Sequence, residues 1–186
     1  TRDFSNSTII GITGSSGKTS LKNFLSYSLK VFGKVHYSPK SFNNQYGVPL
    51  SLSNLKQDTK YGVFEIGMSK KNEINKLSKI VKPHIGIITN IAEAHIKNFK
   101  NINEIAKAKS KILNNICKDG NIILNRDDSF FQYFFKLAKI KKLNILTFSL
   151  KLKSDVYLKK ITKRKKNYKA IININIKNYF FYIKYN

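Results

Sequence analysis

Short β-branched runs alternate with amphipathic stretches along most of this chain. Thr8-Ile9-Ile10 is an apolar run that stops at Gly11. Leu21, Phe24, Leu25 and Leu29 then recur at the spacing of one helix face. Residues 34–37 form a short strand pattern. Residues 38–50 read as a loop, because Pro39, Pro49 and the paired Asn43-Asn44 disfavour regular structure. Residues 61–67 are a buried-strand pattern ending at Gly67. A helix is predicted over 72–81, with Ile74, Leu77, Ile80 and Val81 on one face. Pro83 opens another core strand over 84–90. Helix, strand, helix and strand follow at 102–116, 121–124, 129–140 and 143–148.

This alternation predicts an α/β fold: a P-loop-type, mostly parallel sheet with helices on both faces. From Asp155 the pattern changes to three candidate strands, 156–161, 169–176 and 179–184. Ile172, Ile174 and Ile176 alternate with Ile171, Asn173, Asn175 and Lys177, as in a half-exposed antiparallel sheet. The expected organisation is a core over 1–150 and a small antiparallel β appendage over 151–186, both within one domain. With 186 residues and 41% hydrophobic content, the chain can bury a core of its own. No apolar run is long enough to span a membrane.

Charge alters this picture little. The net charge is +25 and the pI about 10.1, values that usually point to nucleic acid. Of the 35 basic residues, however, only Arg2, Arg126 and Arg164 are arginine. The lysines are spread through every segment, and the densest cluster, 159–166, falls where a solvated strand connection is expected. No specific nucleic-acid partner and no membrane insertion are expected, and a monomer is the expected state. Cys117 stands alone, which excludes an internal disulfide and agrees with a reducing cytoplasm. The start, Thr1-Arg2-Asp3, resembles neither a signal peptide nor an initiator methionine, so the chain is expected to be part of a longer protein.

The candidate chemistry begins at Gly11-Ile12-Thr13-Gly14-Ser15-Ser16-Gly17-Lys18-Thr19. Strand, glycine turn, Lys-Thr and helix form the layout of a phosphate-binding loop. Gly14, Ser15, Ser16, Gly17, Lys18, Thr19 and Ser20 are the candidate nucleotide-binding residues. Lys18 can reach terminal phosphates, and the Thr19 hydroxyl can ligate Mg²⁺. The strict form of the pattern has glycine where Ile12 stands. Ligands of open parallel sheets gather at the carboxyl ends of the strands, and unusual polar residues fall there. Glu65 ends an apolar strand, where a carboxylate is costly unless paired or metal-bound. His95 follows Thr89-Asn90, past another strand end. Lys109 interrupts the stripe of Ile102, Ile105, Ile112 and Ile116. Burial there lowers a lysine's proton affinity and suits a reactive amine; a stem snorkelling at the stripe's edge is the plainer alternative. His36 and His84 read as strand residues with no partner in view.

Six segments in order carry a resemblance. They are Thr13-to-Thr19; Asn43-Asn44-Gln45-Tyr46-Gly47-Val48-Pro49-Leu50; Glu65-Ile66-Gly67-Met68; Thr89-Asn90-Ile91-Ala92-Glu93-Ala94-His95; Ile105-Ala106-Lys107-Ala108-Lys109; and Leu124-Asn125-Arg126-Asp127-Asp128. Together they resemble the ATP-binding central domain of the Mur ligase family, in the branch that adds D-alanyl-D-alanine. That family's loop reads Thr-Gly-(Ser/Thr)-x-Gly-Lys-Thr, which accounts for Ile12.

The resemblance implies an ATP-dependent carbon–nitrogen ligase of peptidoglycan precursor synthesis, with UDP-N-acetylmuramoyl-tripeptide and D-alanyl-D-alanine as substrates. It implies that Lys18 and the loop amides hold ATP, that Thr19 and Glu65 hold one Mg²⁺, and that His95 helps hold a second. It also matches Lys109 to the lysine that is carbamylated in several family members and can then serve beside a metal, leaving open whether Lys109 itself is modified, and it implies that Asn43 or Asn44 approaches the reacting groups. Lys111 stands where relatives often have Glu. The family's UDP-sugar and amine-binding domains and its Gly-x-His-Asn-x-x-Asn segment have no counterpart in this chain. The isolated chain is therefore expected to bind ATP weakly at most and to lack full ligase activity. Two other readings stay open: another ligase of the superfamily, such as a folylpolyglutamate synthase, and a non-catalytic basic nucleotide- or nucleic-acid-binding module.

Overall fold

Strand β1 (Thr8–Thr13) lies between β3 (Tyr61–Glu65) and β4 (Ile85–Ile88), parallel to both. In the computed structural model, which describes residues 6–93, 98–164 and 167–184, it is the hub of one sheet. With β2 (Val35–Tyr37), β5 (Asn121–Asn125), β6 (Asn144–Ser149), β7 (Val156–Lys163), β8 (Asn167–Ile174) and β9 (Lys177–Lys184), the order is β2-β3-β1-β4-β5-β6-β7-β8-β9. Strands β2 to β6 are all parallel. β7 continues the sheet through two parallel pairs, Phe148 with Val156 and Ser149 with Tyr157. β7, β8 and β9 are antiparallel, the appendage expected from the alternating isoleucines.

From β1 the chain leaves for β2 and β3 on one side, then crosses to β4 on the other. The strand order therefore reverses at β1, and a crevice opens beyond its carboxyl end. The register places Ile12 beside Glu65 and Thr13 beside Ile88, so three strand ends meet there.

Helix α1 (Lys18–Leu29) covers one face of the sheet, packing Leu21, Leu25 and Leu29 on Ile10, Ile12, Val63 and Ile87. The other face carries the larger core, built with α2 (Gly47–Ser53), α3 (Glu73–Val81), α4 (Ile102–Ser110) and α5 (Phe131–Ile140). No helix among the described residues is long and apolar enough to cross a membrane.

Several sequence expectations are corrected. The loop predicted over 38–50 gives way to α2 from Gly47, because Pro49 falls in a first turn, where a missing N–H costs nothing. The helix predicted over 102–116 tightens into a 3₁₀ turn at Lys111–Asn115. The strand predicted over 169–176 ends at Ile174, since Asn175 and Ile176 take positive φ in a two-residue hairpin turn. Phe24 and Ile80 are exposed rather than packed, and Lys22 and Ser26 are buried on α1 instead. His84 precedes β4 rather than lying in it, and both histidines have partners: His36 Nε2 donates to the Ser51 carbonyl at 2.7 Å, and His84 Nδ1 accepts from the Ile9 amide at 2.9 Å.

Candidate active site

The loop between β1 and α1 is pinned by the segment that follows β4. The Ser15 amide donates to the Asn90 carbonyl, and the Ser16 amide to Asn90 Oδ1, each at 2.9 Å. Thr89 Oγ1 donates to the Ser16 carbonyl at 2.6 Å, and Asn90 Nδ2 to Ser16 Oγ at 2.7 Å. The fit is close: a Cβ added at Gly14, whose φ is +146°, would stand 1.8 Å from Thr89 Oγ1. Behind this segment, Asn125 Nδ2 donates to the Thr89 carbonyl and Asp128 Oδ2 accepts from the Ile91 amide.

This arrangement refines the sequence expectation. The amides of Ser15 and Ser16 are committed to Asn90. Those of Gly17, Lys18, Thr19 and Ser20, at the amino end of α1, carry no hydrogen bond among the described residues. Four free N–H groups at a helix amino terminus form an anion site.

Two ammonium groups reach the same loop. Lys18 Nζ donates to the Gly14 carbonyl at 3.0 Å, and Lys109 Nζ, from α4, donates to that carbonyl at 2.8 Å. Lys109 is 2% exposed, so its stem reaches into the core rather than to solvent. Its pKa is lowered from an ordinary 10.5 to about 7, first by burial and second by repulsion from Lys18. Burial also lowers the pKa of Lys18, and the Glu65 carboxylate partly offsets this.

Glu65, 1% exposed, accepts from Thr19 Oγ1 at 2.8 Å on one oxygen and from Asn43 Nδ2 at 2.7 Å on the other. Asn43 comes this close because residue 67 is glycine: a Cβ there would lie 2.7 Å from Asn43 Cγ. The Gly67 amide donates to the Asn43 carbonyl at 2.7 Å, which fixes the approach. Asn44 turns away from Glu65; its side-chain oxygen accepts from the amides of Tyr46 and Gly47 and so starts α2. A cavity of about 110 Å³ opens among Lys18, Lys109, Asn43, Asn44, Gly67 and Ser69.

The structure thus brings together Lys18, Thr19, Glu65, Asn43 and Lys109, with Ser20 exposed on the first turn of α1. His95 lies outside the described residues. Sequence reasoning missed Asn90 as the clamp of the loop. It also missed Lys22, 1% exposed, whose Nζ donates to the Lys40 carbonyl and stands 4.0 Å from Glu65 Oε2. The available signal was spacing, since Lys18, Lys22 and Ser26 are four apart, beside the leucine stripe.

A glycine loop, a helix amino end with its lysine, and a hydroxyl–carboxylate pair at the switch point of a parallel sheet define a phosphate-loop nucleotide-binding domain. Residues 12–185 match the Mur ligase middle domain, and the chain belongs to that family. A UDP-N-acetylmuramoyl-tripeptide–D-alanyl-D-alanine ligase from Buchnera aphidicola (subsp. Baizongia pistaciae) is 38% identical over 161 residues. That alignment covers 87% of this chain and 35% of the relative. Among solved structures, MurF from Acinetobacter baumannii superposes with a TM-score of 0.91 at 30% identity, covering 99% of this chain and 40% of that one. MurF ligase from Thermotoga maritima, solved in complex with ADP, superposes with a TM-score of 0.85 at 25% identity over 100% of this chain and 43% of that one. The chain therefore spans well under half the length of these relatives.

Proposed function

We propose that this chain supplies the ATP site of a ligase that joins D-alanyl-D-alanine to UDP-N-acetylmuramoyl-tripeptide through an acyl phosphate. The observation that carries the reading is the meeting of Lys18, Lys109 and the Thr19–Glu65–Asn43 set around one loop. The likeness to ligases of that name supports the choice of substrates, and the ADP in the Thermotoga protein supports the nucleotide. A cytoplasmic setting, where ATP and the precursor meet, belongs to the same reading.

In the first step a carboxylate oxygen of the tripeptide attacks the γ-phosphorus, the bond to the bridging oxygen breaks, and ADP leaves. In the second, the amine of D-alanyl-D-alanine attacks the acyl carbon, phosphate leaves and the nitrogen gives up a proton. Phosphoryl transfer asks for positioning and charge neutralisation rather than covalent help. The free amides at the start of α1 and the Lys18 ammonium hold phosphate oxygens. Asn43 orients Glu65.

The donors fit magnesium: a carboxylate and a hydroxyl 2.8 Å apart are hard oxygen ligands. Thr19 and Glu65 would hold that ion, which supplies charge neutralisation at the β- and γ-phosphates. Lys109 as an ammonium would repel a second ion. Its lowered proton affinity favours the free amine, which adds to CO₂ and loses a proton to give an anionic carbamate. His95 joins this second site in the reading.

The test is calorimetric ATP binding with and without Mg²⁺, together with amide formation from the two named substrates. Magnesium-dependent binding lost in Lys18→Ala supports the ATP site. Binding of polyanions that survives Lys18→Ala and ignores Mg²⁺ overturns it.

A further inference from the structure

Lys22 is a fully buried lysine that the proposed chemistry does not use. It stands three residues after Thr19, so both side chains leave α1 on the side facing the end of β3. A buried ammonium is costly unless paired and hydrogen-bonded. Here the compensation comes from two places. Glu65 Oε2, the oxygen that accepts from Thr19, is 4.0 Å from Lys22 Nζ. The Lys40 carbonyl accepts from Nζ, and Lys40 itself has a φ of +47°. Lys40 belongs to the stretch between β2 and α2 that delivers Asn43 to the other oxygen of Glu65. One side chain therefore joins the helix of the phosphate loop, the acidic end of β3 and the segment carrying Asn43.

We propose that Lys22 is a positioning residue for the phosphate site: its ammonium balances Glu65 and anchors residue 40, and so sets the Glu65–Asn43 contact that shapes the magnesium-binding edge. The inference rests on the reading of Thr19 and Glu65 as magnesium donors.

Lys22→Met removes the charge and keeps the stem. In this variant of the chain, the gain in ATP affinity on adding Mg²⁺ is expected to fall about tenfold, roughly 1.4 kcal/mol, while affinity in EDTA stays within about twofold. Amide exchange over residues 38–46 is expected to rise about tenfold, with β4 and β5 unchanged. Lys22→Gln, which retains a donor but no charge, is read by the same criteria should the Met variant fail to fold. A merely structural lysine would lower the melting temperature and leave the Mg²⁺ gain intact; that outcome, or unchanged exchange over 38–46, overturns the inference alone. Absence of any Mg²⁺ gain in the unmodified chain overturns the magnesium reading and this inference with it.

Discussion

Lys18 and Lys109, 91 positions apart in the sequence, donate to one acceptor, the Gly14 carbonyl. Two ammonium groups on one carbonyl repel each other, and the more buried of them yields. Lys109 has the interior position, so its proton is the one held weakly. Burial thus lowers the proton affinity of both amines beside the phosphate loop, and that of Lys109 falls to about 7.

Stability should follow Lys109. Below about pH 7 both folded and unfolded chains carry its proton, and the fold bears the full penalty of a buried ammonium. Between about 7 and 10.5 the unfolded chain binds more protons, so stability rises with pH, by at most about 1.4 kcal/mol per pH unit. Lys109→Met should flatten that rise and be the more stable chain near pH 6. Urea melts in CO₂-free buffer from pH 6 to 10 measure it; parallel curves for the two chains would refute the burial argument.

The same amine should take up CO₂. Incubation with ¹³C-bicarbonate near pH 8 is expected to give one carbamate resonance. Lys109→Arg should abolish it, because guanidinium stays protonated. A signal that persists in that variant assigns the modification elsewhere.

Glu65→Gln should separate magnesium from nucleotide. The amide oxygen can still accept from Asn43 and the amide nitrogen can donate to the Thr19 hydroxyl, but the anion is gone, so ATP affinity in EDTA should hold while the gain on adding Mg²⁺ drops at least about tenfold. Lys22 would also lose its counter-charge, and a fall in stability of about 3–5 kcal/mol is expected in thermal melts. Unchanged Mg²⁺ dependence would remove Glu65 from the metal site.

Much of this was readable from residues alone, for reasons that differ by element. β1, β3 and β4 announce themselves because a strand buried on both faces needs an unbroken apolar run. Lys109 was legible because a charge inside an isoleucine stripe has few neutral explanations. Lys22 was not legible: it lies beside the leucine stripe, where a snorkelling lysine is ordinary, and its burial depends on the remote Lys40 carbonyl and Glu65. α2 was hidden by Pro49 and by Asn44, whose usual meaning is a turn; here the Asn44 side chain starts a helix. The role of Asn90 rests on pairings with residues 15 and 16, which no local pattern records.

Gly67 offers the sharpest packing test. Any Cβ at this position meets Asn43 Cγ at 2.7 Å and Oδ1 at 2.8 Å, so Gly67→Ala must push the asparagine away from Glu65. Overpacking of this kind costs about 1–3 kcal/mol. The loss should be largely specific to the Asn43 contact, and therefore non-additive with Asn43→Ala: the double variant should be destabilised by much less than the sum of the two single changes. Denaturant melts of the four chains give the coupling directly. Its functional counterpart is a weaker Mg²⁺ gain in ATP binding for Gly67→Ala and Asn43→Ala alike. Additive free energies, or a Gly67→Ala chain with undiminished Mg²⁺ dependence, would show that the close approach of Asn43 to Glu65 is not what residue 67 is kept small for.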